Sequence, residues 1–433
     1  MIAQLIFILL LAGGIFLFTK NVRKIIRNIN LGRDLKRNDR KGERWMTMIR
    51  VALGQSKMVV RPVAGILHIF VYIGFVIINI EVLEILIDGI FGTHRIFSSL
   101  GSFYNLLIGS FEILALLVLV GCVVFLIRRN VLKLKRFWSK EMTSWPRTDA
   151  NVILITEILL MAAFLTMNAA DGILQSRSFE HYVTAGAFPV SSAYRSVFSS
   201  MSSESLMMLE RCCWWFHIIG IMAFLNYIPY SKHFHIVLSF PNVYYSNLEN
   251  KGRFTNMSSV TQEVKLMLDP SAAPPENYQP PAGFGAKDVT DLTWKNLMDA
   301  YSCTECGRCT SVCPANQTGK LLSPRKIMMD ARDRLEEVGK NIDRHGKDFK
   351  DEKNLFSYIS EEELWACTSC NACTDACPVN IDPLNIIVEM RRYLVMEQSK
   401  VPSELAMMFS KIENNGAPWQ FAQSDRLKWE EGN

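Results

Sequence analysis

The chain has 433 residues, 49% hydrophobic and 21% charged, with a formal net charge of +5. So small a charge excess argues against a nucleic-acid binder, and the crowding of apolar residues into the first 230 positions argues against a single soluble domain. Eleven cysteines, eight of them in two tight groups, argue against a disulfide framework, because four thiols within eleven residues suit a metal cluster.

Five stretches, 2–19, 62–87, 104–127, 151–170 and 207–229, are long and apolar enough to cross about 30 Å of hydrocarbon. The first lacks a basic n-region and a small-residue cleavage site, so it is read as a retained helix. Thirteen Lys and Arg lie from Lys20 to Arg61, and seven from Arg128 to Arg147. The opposite connections hold only Arg95, Arg177 and Arg195. The positive-inside rule then places the N-terminus outside and everything after the fifth span in the cytoplasm. This predicts a multi-pass protein of the cell inner (cytoplasmic) membrane.

The expected organisation is mainly α. A five-transmembrane-helix bundle (1–240) is followed by a linker (241–286), an α-helical two-cluster ferredoxin-like domain (287–400) and a C-terminal tail for partner docking (401–433). Within the linker, 268–286 is rich in Pro, Ala and Gly. Helical patterns run over 289–300, 324–337, 361–366 and 384–396.

The first cysteine group reads Cys303-Thr-Glu-Cys306-Gly-Arg-Cys309-Thr-Ser-Val-Cys313-Pro314, the second Cys367-Thr-Ser-Cys370-Asn-Ala-Cys373-Thr-Asp-Ala-Cys377-Pro378. Both are C-x2-C-x2-C-x3-C-P, the run in which three thiolates hold one [4Fe–4S] cluster and the fourth reaches the other. Crossed ligation assigns Cys303, Cys306, Cys309 and Cys377 to one cluster, and Cys367, Cys370, Cys373 and Cys313 to the second. Zinc is the alternative, but zinc knuckles use two CxxC pairs. Cys122, Cys212 and Cys213 lie in apolar stretches and read as small core residues.

His68 falls in the second span and His217 in the fifth, where a titratable ring is costly and marks function. Their depths agree within a turn if the second helix begins near Met58, which makes them candidate axial ligands of a haem b; a pair of hydrogen-bonded core histidines is the plain alternative. His235 follows His217 by eighteen residues, five turns of a continuous helix. With His233 and Met58 it marks a second haem site or the edge of a quinone pocket. His94, His181 and His345 read as surface residues. Glu81, Glu84, Glu112, Glu157 and Asp171, in or at the ends of spans, are candidate proton carriers.

The chain resembles the membrane-bound iron–sulfur oxidoreductases, a group with the electron-transfer-flavoprotein:menaquinone oxidoreductases, related to heterodisulfide reductases. The resemblance rests on Gly54-Gln55-Ser56-Lys57, on Arg61-Pro62-Val63-Ala64-Gly65-Ile66-Leu67-His68, on Pro229-Tyr230-Ser231-Lys232-His233-Phe234-His235, and on both cysteine runs with Gly319-Lys320-Leu321-Leu322-Ser323-Pro324. The membrane half resembles the gamma subunit of respiratory nitrate reductase. That implies His68 and His217 as one haem pair, and leaves Met58 where the family's partner for a second haem stands. Larger relatives continue into CCG cysteine repeats, which this sequence lacks, implying a separate CCG-type subunit. The resemblance implies a relay from a cytoplasmic donor, electron-transfer flavoprotein through that subunit, to a membrane quinone by way of the clusters and haem. Quinol-to-disulfide flow uses the same parts, and a membrane redox sensor or assembly factor is the reading from a different class.

Overall fold

The computed structural model describes the chain except residues 181, 183, 270, 272–282, 421, 432 and 433. His181 and most of the proline-rich stretch 268–286 lie outside the described residues. Five long helices form the N-terminal half: α1 (Ile2–Ile29), α2 (Pro62–Phe91), α3 (Ser102–Leu126), α4 (Trp145–Ser176) and α5 (Ser203–Tyr227). All are long and apolar enough to cross a membrane. Prolines sit in the first turns of α2 and α4, where the missing N–H costs no hydrogen bond. Ser202 caps α5 by accepting from the Ser205 amide. In the bundle α2 packs on α3, α3 on α4 and α4 on α5, while α1 lies against α2 and α5.

At the end of the bundle away from the basic connections, buried polar groups converge on Arg95. Its guanidinium donates to Asp171 at 2.5 Å, to Asn168 at 2.9 Å and to the Tyr104 hydroxyl at 3.1 Å. Tyr104 in turn donates to Glu84, and Asn168 to Glu112. Four of the five acidic side chains singled out in the sequence, Glu81, Glu84, Glu112 and Asp171, are thus gathered at one end of the bundle, and Glu157 stands apart from them. His94 differs from expectation. It is largely covered, with its ring 4.9 Å from that of Tyr182 and Nε2 4.0 Å from Asp171, because the turn carrying Arg95 folds inward over the helix ends. His345 is exposed, as a surface residue should be. Cys122 is buried, while Cys213 is partly covered and Cys212 faces outward.

The chain does not leave α5 as one continuous helix. Short 3-10 turns at Ile228–Tyr230 and Lys232–Phe234 break it, and α6 (His235–Tyr244) starts a new direction. Helices of the C-terminal half include α7 (Trp294–Ser302), α8 (Arg308–Val312), α9 (Pro324–His345), α10 (Ala372–Ala376) and α11 (Pro383–Arg392). Among the described residues there is no strand, only an isolated bridge between Arg33 and Thr293.

The C-terminal half packs directly on the basic ends of the spans. One buried apolar cluster joins Ile25, Ile29, Phe224 and Ile228 of the bundle to Leu297, Ile327 and Ile387. This explains why α1 runs ten residues beyond its predicted end. Its last turn is a docking element, with Asn28 donating to the Tyr301 hydroxyl at 2.9 Å and Arg27 to the Gly339 carbonyl at 2.9 Å. Beyond α11, α12 (Ser403–Asn415) leaves Met407, Phe409 and Ile412 exposed.

Candidate metal centres

The two cysteine runs fold alike. In each, the residue before the second cysteine and the residue after it have left-handed backbones: Glu305 (φ 53°) and Gly307 (φ 70°) in the first, Ser369 (φ 56°) and Asn371 (φ 60°) in the second. Two left-handed residues around one cysteine curl the loop so that successive thiols face inward. A short helix follows each loop, α8 and α10, and ends on the fourth cysteine in an extended conformation before Pro314 or Pro378. The two short helices pack against each other. That contact carries each fourth cysteine toward the opposite loop.

One cavity is lined by Cys303, Cys306, Cys309 and Cys377 together with Arg308 and Arg325. This is the crossed set expected from the spacing. On the other side, Cys313 and Cys370 are the thiol neighbours felt by Cys367, and Cys367 is felt by Cys373. Among the described residues no three His, Cys, Asp or Glu converge on a single metal ion. A tetrahedral zinc would draw four sulfurs to about 2.3 Å from one point, whereas thiols ringing a cavity fit a group with several metal atoms.

The donor chemistry fits such a group. Burial pushes the Cys303, Cys373 and Cys377 thiols up to about 12, so loading must displace their protons. Backbone N–H groups already face sulfur, from Ser369 to Cys367 at 3.4 Å and from Ile381 to Cys377 at 3.3 Å. Cys370 is the most open of the eight, so the second loop faces solvent while the first faces the bundle.

The first loop is bolted to the start of α2. Arg308 donates to the carbonyls of Lys57 at 2.7 Å and Met58 at 3.2 Å, and Lys57 donates to the carbonyls of Asp375 at 3.1 Å and Cys377 at 3.2 Å. Arg61 donates to Ser311 at 2.6 Å. The Met58 carbonyl packs on Gly65, where an added Cβ would come within 2.6 Å of it. Gly65 stands one helical turn before His68. Lys57, Met58 and Arg61 are therefore the seat of the first cysteine pocket. What these residues do is decided across chain separations of about 250 residues.

The histidines group differently from expectation. The ring of His68 lies 6.4 Å from that of His235, and His233 lies 5.5 Å from His235. No ring contact joins His68 to His217 among the described residues; His217 faces Phe164 and places Nδ1 3.1 Å from the Leu160 carbonyl. The physical reason is the helix break at Pro229, which turns His235 back under α2 where a continuous helix would have carried it away. Nδ1 of His235 is 2.9 Å from the Lys232 carbonyl, which leaves Nε2 directed elsewhere. The buried Nδ1 of His68 has no hydrogen-bond partner. The Met58 sulfur lies 3.5 Å from the Arg308 guanidinium.

Residues 302–381 match the family model described as a 4Fe-4S dicluster domain. Over 98% of its length the chain is 28% identical to the probable iron-sulfur-binding oxidoreductase FadF of Bacillus subtilis, covering 60% of that protein. Over 92% it is 29% identical to an EtfAB:quinone oxidoreductase of Syntrophomonas wolfei, covering 55% of it. A stretch of 27% of the chain is 34% identical to one component of a CoB-CoM heterodisulfide reductase of Methanosarcina acetivorans, covering 60% of that component. The chain thus spans little more than half the length of the first two relatives. No solved structure matches.

Proposed function

We propose, starting from a homologue of iron–sulfur oxidoreductases whose C-terminal half carries a 4Fe-4S dicluster domain, that this chain is the membrane electron-transfer subunit of an oxidoreductase. It exchanges electrons between a cytoplasmic partner and a quinone in the inner membrane. The observation that carries this reading is the seat of the first cysteine loop on α2, with Arg308 holding the Met58 carbonyl one turn below His68.

Cys303, Cys306, Cys309 and Cys377 hold one [4Fe–4S] cluster, and Cys367, Cys370, Cys373 and Cys313 the other. When bound, the clusters supply single-electron transfer. The chain's own residues set position and potential. N–H groups on Cys367 and Cys377, and the guanidinium of Arg308, stabilise negative charge at the thiolates.

His68 and His235 are the pair best placed to hold haem b. A metal–nitrogen bond of about 2 Å and about 1 Å from nitrogen to ring centre, taken twice, give about 6 Å between ring centres. The observed 6.4 Å agrees. Burial lowers the His235 pKa, so the ring is a neutral ligand, and its hydrogen bond to the Lys232 carbonyl selects the tautomer. His217, held in the same way by Leu160, serves a second haem or the quinone nearer the bundle's far end.

Electron-transfer flavoprotein, acting through a CCG-type subunit, is the proposed donor, and the exposed second loop with α12 its docking side. The likeness to a heterodisulfide reductase component supports a second reading, reverse flow to a disulfide. The test is a vesicle experiment on the purified complex, reduced with dithionite that is then removed, with menaquinone added last. Dithionite-reduced clusters should be re-oxidised on adding quinone, and a cluster spectrum indifferent to quinone would sink the relay.

A further inference from the structure

Residues 128–147, the connection between α3 and α4 with the first turn of α4, carry seven Lys and Arg and a single carboxylate, Glu141. That carboxylate is already engaged, 2.7 Å from the guanidinium of Arg325 in the C-terminal half. The cations gather on two adjacent aromatic rings. Arg129 lies 4.5 Å and Arg136 4.7 Å over Phe137, while Arg147 lies 4.0 Å and Lys133 5.2 Å over Trp138. Trp138 ties the platform to the turn that follows α3 by donating to the Arg129 carbonyl at 2.8 Å.

Four guanidinium N–H groups here are buried and unpartnered: Nε and Nη2 of Arg129, Nε of Arg136 and Nε of Arg147. Buried donors without acceptors are costly, and three guanidiniums crowded together repel one another. Asp149 and Glu305 act on Arg129, and Cys306 on Arg136, only as nearby charges; none of them accepts from these N–H groups, which are left for an acceptor from outside the chain.

Position says which anion. The platform sits where α3 ends and α4 begins, the level at which a bilayer gives way to water. Val131, Leu132 and Trp145 are exposed around it, as apolar and indole groups are at a lipid interface. We propose that Arg129, Arg136 and Arg147, on the Phe137–Trp138 platform, bind the phosphate of an anionic phospholipid in the cytoplasmic leaflet.

The site has a consequence for the first cysteine pocket. Arg325, which lines that pocket, also donates to the Arg136 carbonyl at 2.6 Å and to Ser139 and Glu141 of the same connection. A lipid held on one side of the connection therefore steadies the pocket on the other.

The experiment uses the full chain in detergent, stripped of lipid and then placed in vesicles of phosphatidylcholine with or without phosphatidylglycerol. Native mass spectrometry reads the retained lipid, and thermal unfolding and iron content read the effect. Wild type should retain phosphatidylglycerol at least several-fold over phosphatidylcholine and unfold at a higher temperature in its presence. The Arg129→Gln/Arg147→Gln double variant should lose both effects, whereas Lys20→Gln/Arg23→Gln, at the exposed basic end of α1, should keep them. Equal retention of the two lipids by wild type overturns the proposal without any variant. So does a double variant that loses haem while keeping its lipid preference, because the arginines would then be holding haem carboxylates.

Discussion

Glu305, between the first two cysteines, forms a buried ion pair with Lys232, three residues beyond the proline that ends the fifth span. Both side chains are more than nine-tenths covered, and Arg332 joins Glu305 from the other side at 2.7 Å. One contact thus ties the cysteine loop, the helix break and the histidine turn together.

Removing one partner of this pair should loosen the two halves. Lys232→Met leaves Glu305 buried with only Arg332, and a broken buried pair typically costs about 3–5 kcal/mol. Thermal unfolding in detergent should show the loss. The double variant Lys232→Met/Glu305→Gln should recover part of it, and if it recovers none the pair is not what joins the halves.

The same pair makes the docking acid-sensitive. Burial pushes the Glu305 carboxyl up, but Lys232 and Arg332 outweigh it and hold it below the ordinary carboxylate value. A group depressed on folding stabilises fully above its unfolded pKa, and the contribution is lost as pH falls through the folded one. Stability measured from pH 6 down to pH 3 should therefore fall more steeply in wild type than in Glu305→Gln. Parallel curves would contradict this.

Gly307 should matter more than its counterpart Asn371. Its backbone is left-handed, and a Cβ there would lie 2.6 Å from the guanidinium of the fully buried Arg325. Gly307→Val combines left-handed strain of about 1–2 kcal/mol with that clash. The expected result is loss of roughly half the iron and sulfide per chain, all from the first cluster. Asn371→Gly should keep a full complement.

Crossed ligation predicts which cysteines act together. Cys309→Ser and Cys377→Ser should abolish the same reduced-cluster paramagnetic signal, although they are sixty-eight positions apart. Cys313→Ser should abolish the signal lost in Cys367→Ser. If Cys377→Ser instead pairs with Cys373→Ser, each run binds its own cluster and the crossing is wrong.

Haem ligation separates two histidine pairings. His68→Ala and His235→Ala should each remove the low-spin absorbance of the same haem, with cluster content kept within about twofold. His217→Ala should leave that band in place. Loss in His217→Ala together with retention in His235→Ala would restore the pairing argued from depth alone.

Much of this was legible in the sequence because it rests on local rules. Five apolar runs of sufficient length make five long helices whatever surrounds them, since backbone groups must satisfy one another where water is absent. The C-x2-C-x2-C-x3-C-P spacing fixes how each loop curls, so the crossed set around one cavity followed from the motif. His68 and His235 did not follow. Their pairing depends on where α5 breaks at Pro229, and on a new helix direction stabilised by the Lys232–Glu305 pair and by packing against Leu297 and Ile327. Likewise, the role of Lys57 and Met58 as the seat of the first pocket arises from contacts between distant segments. Periodicity and spacing report what a segment does with its own neighbours; only the folded chain decides which segments meet.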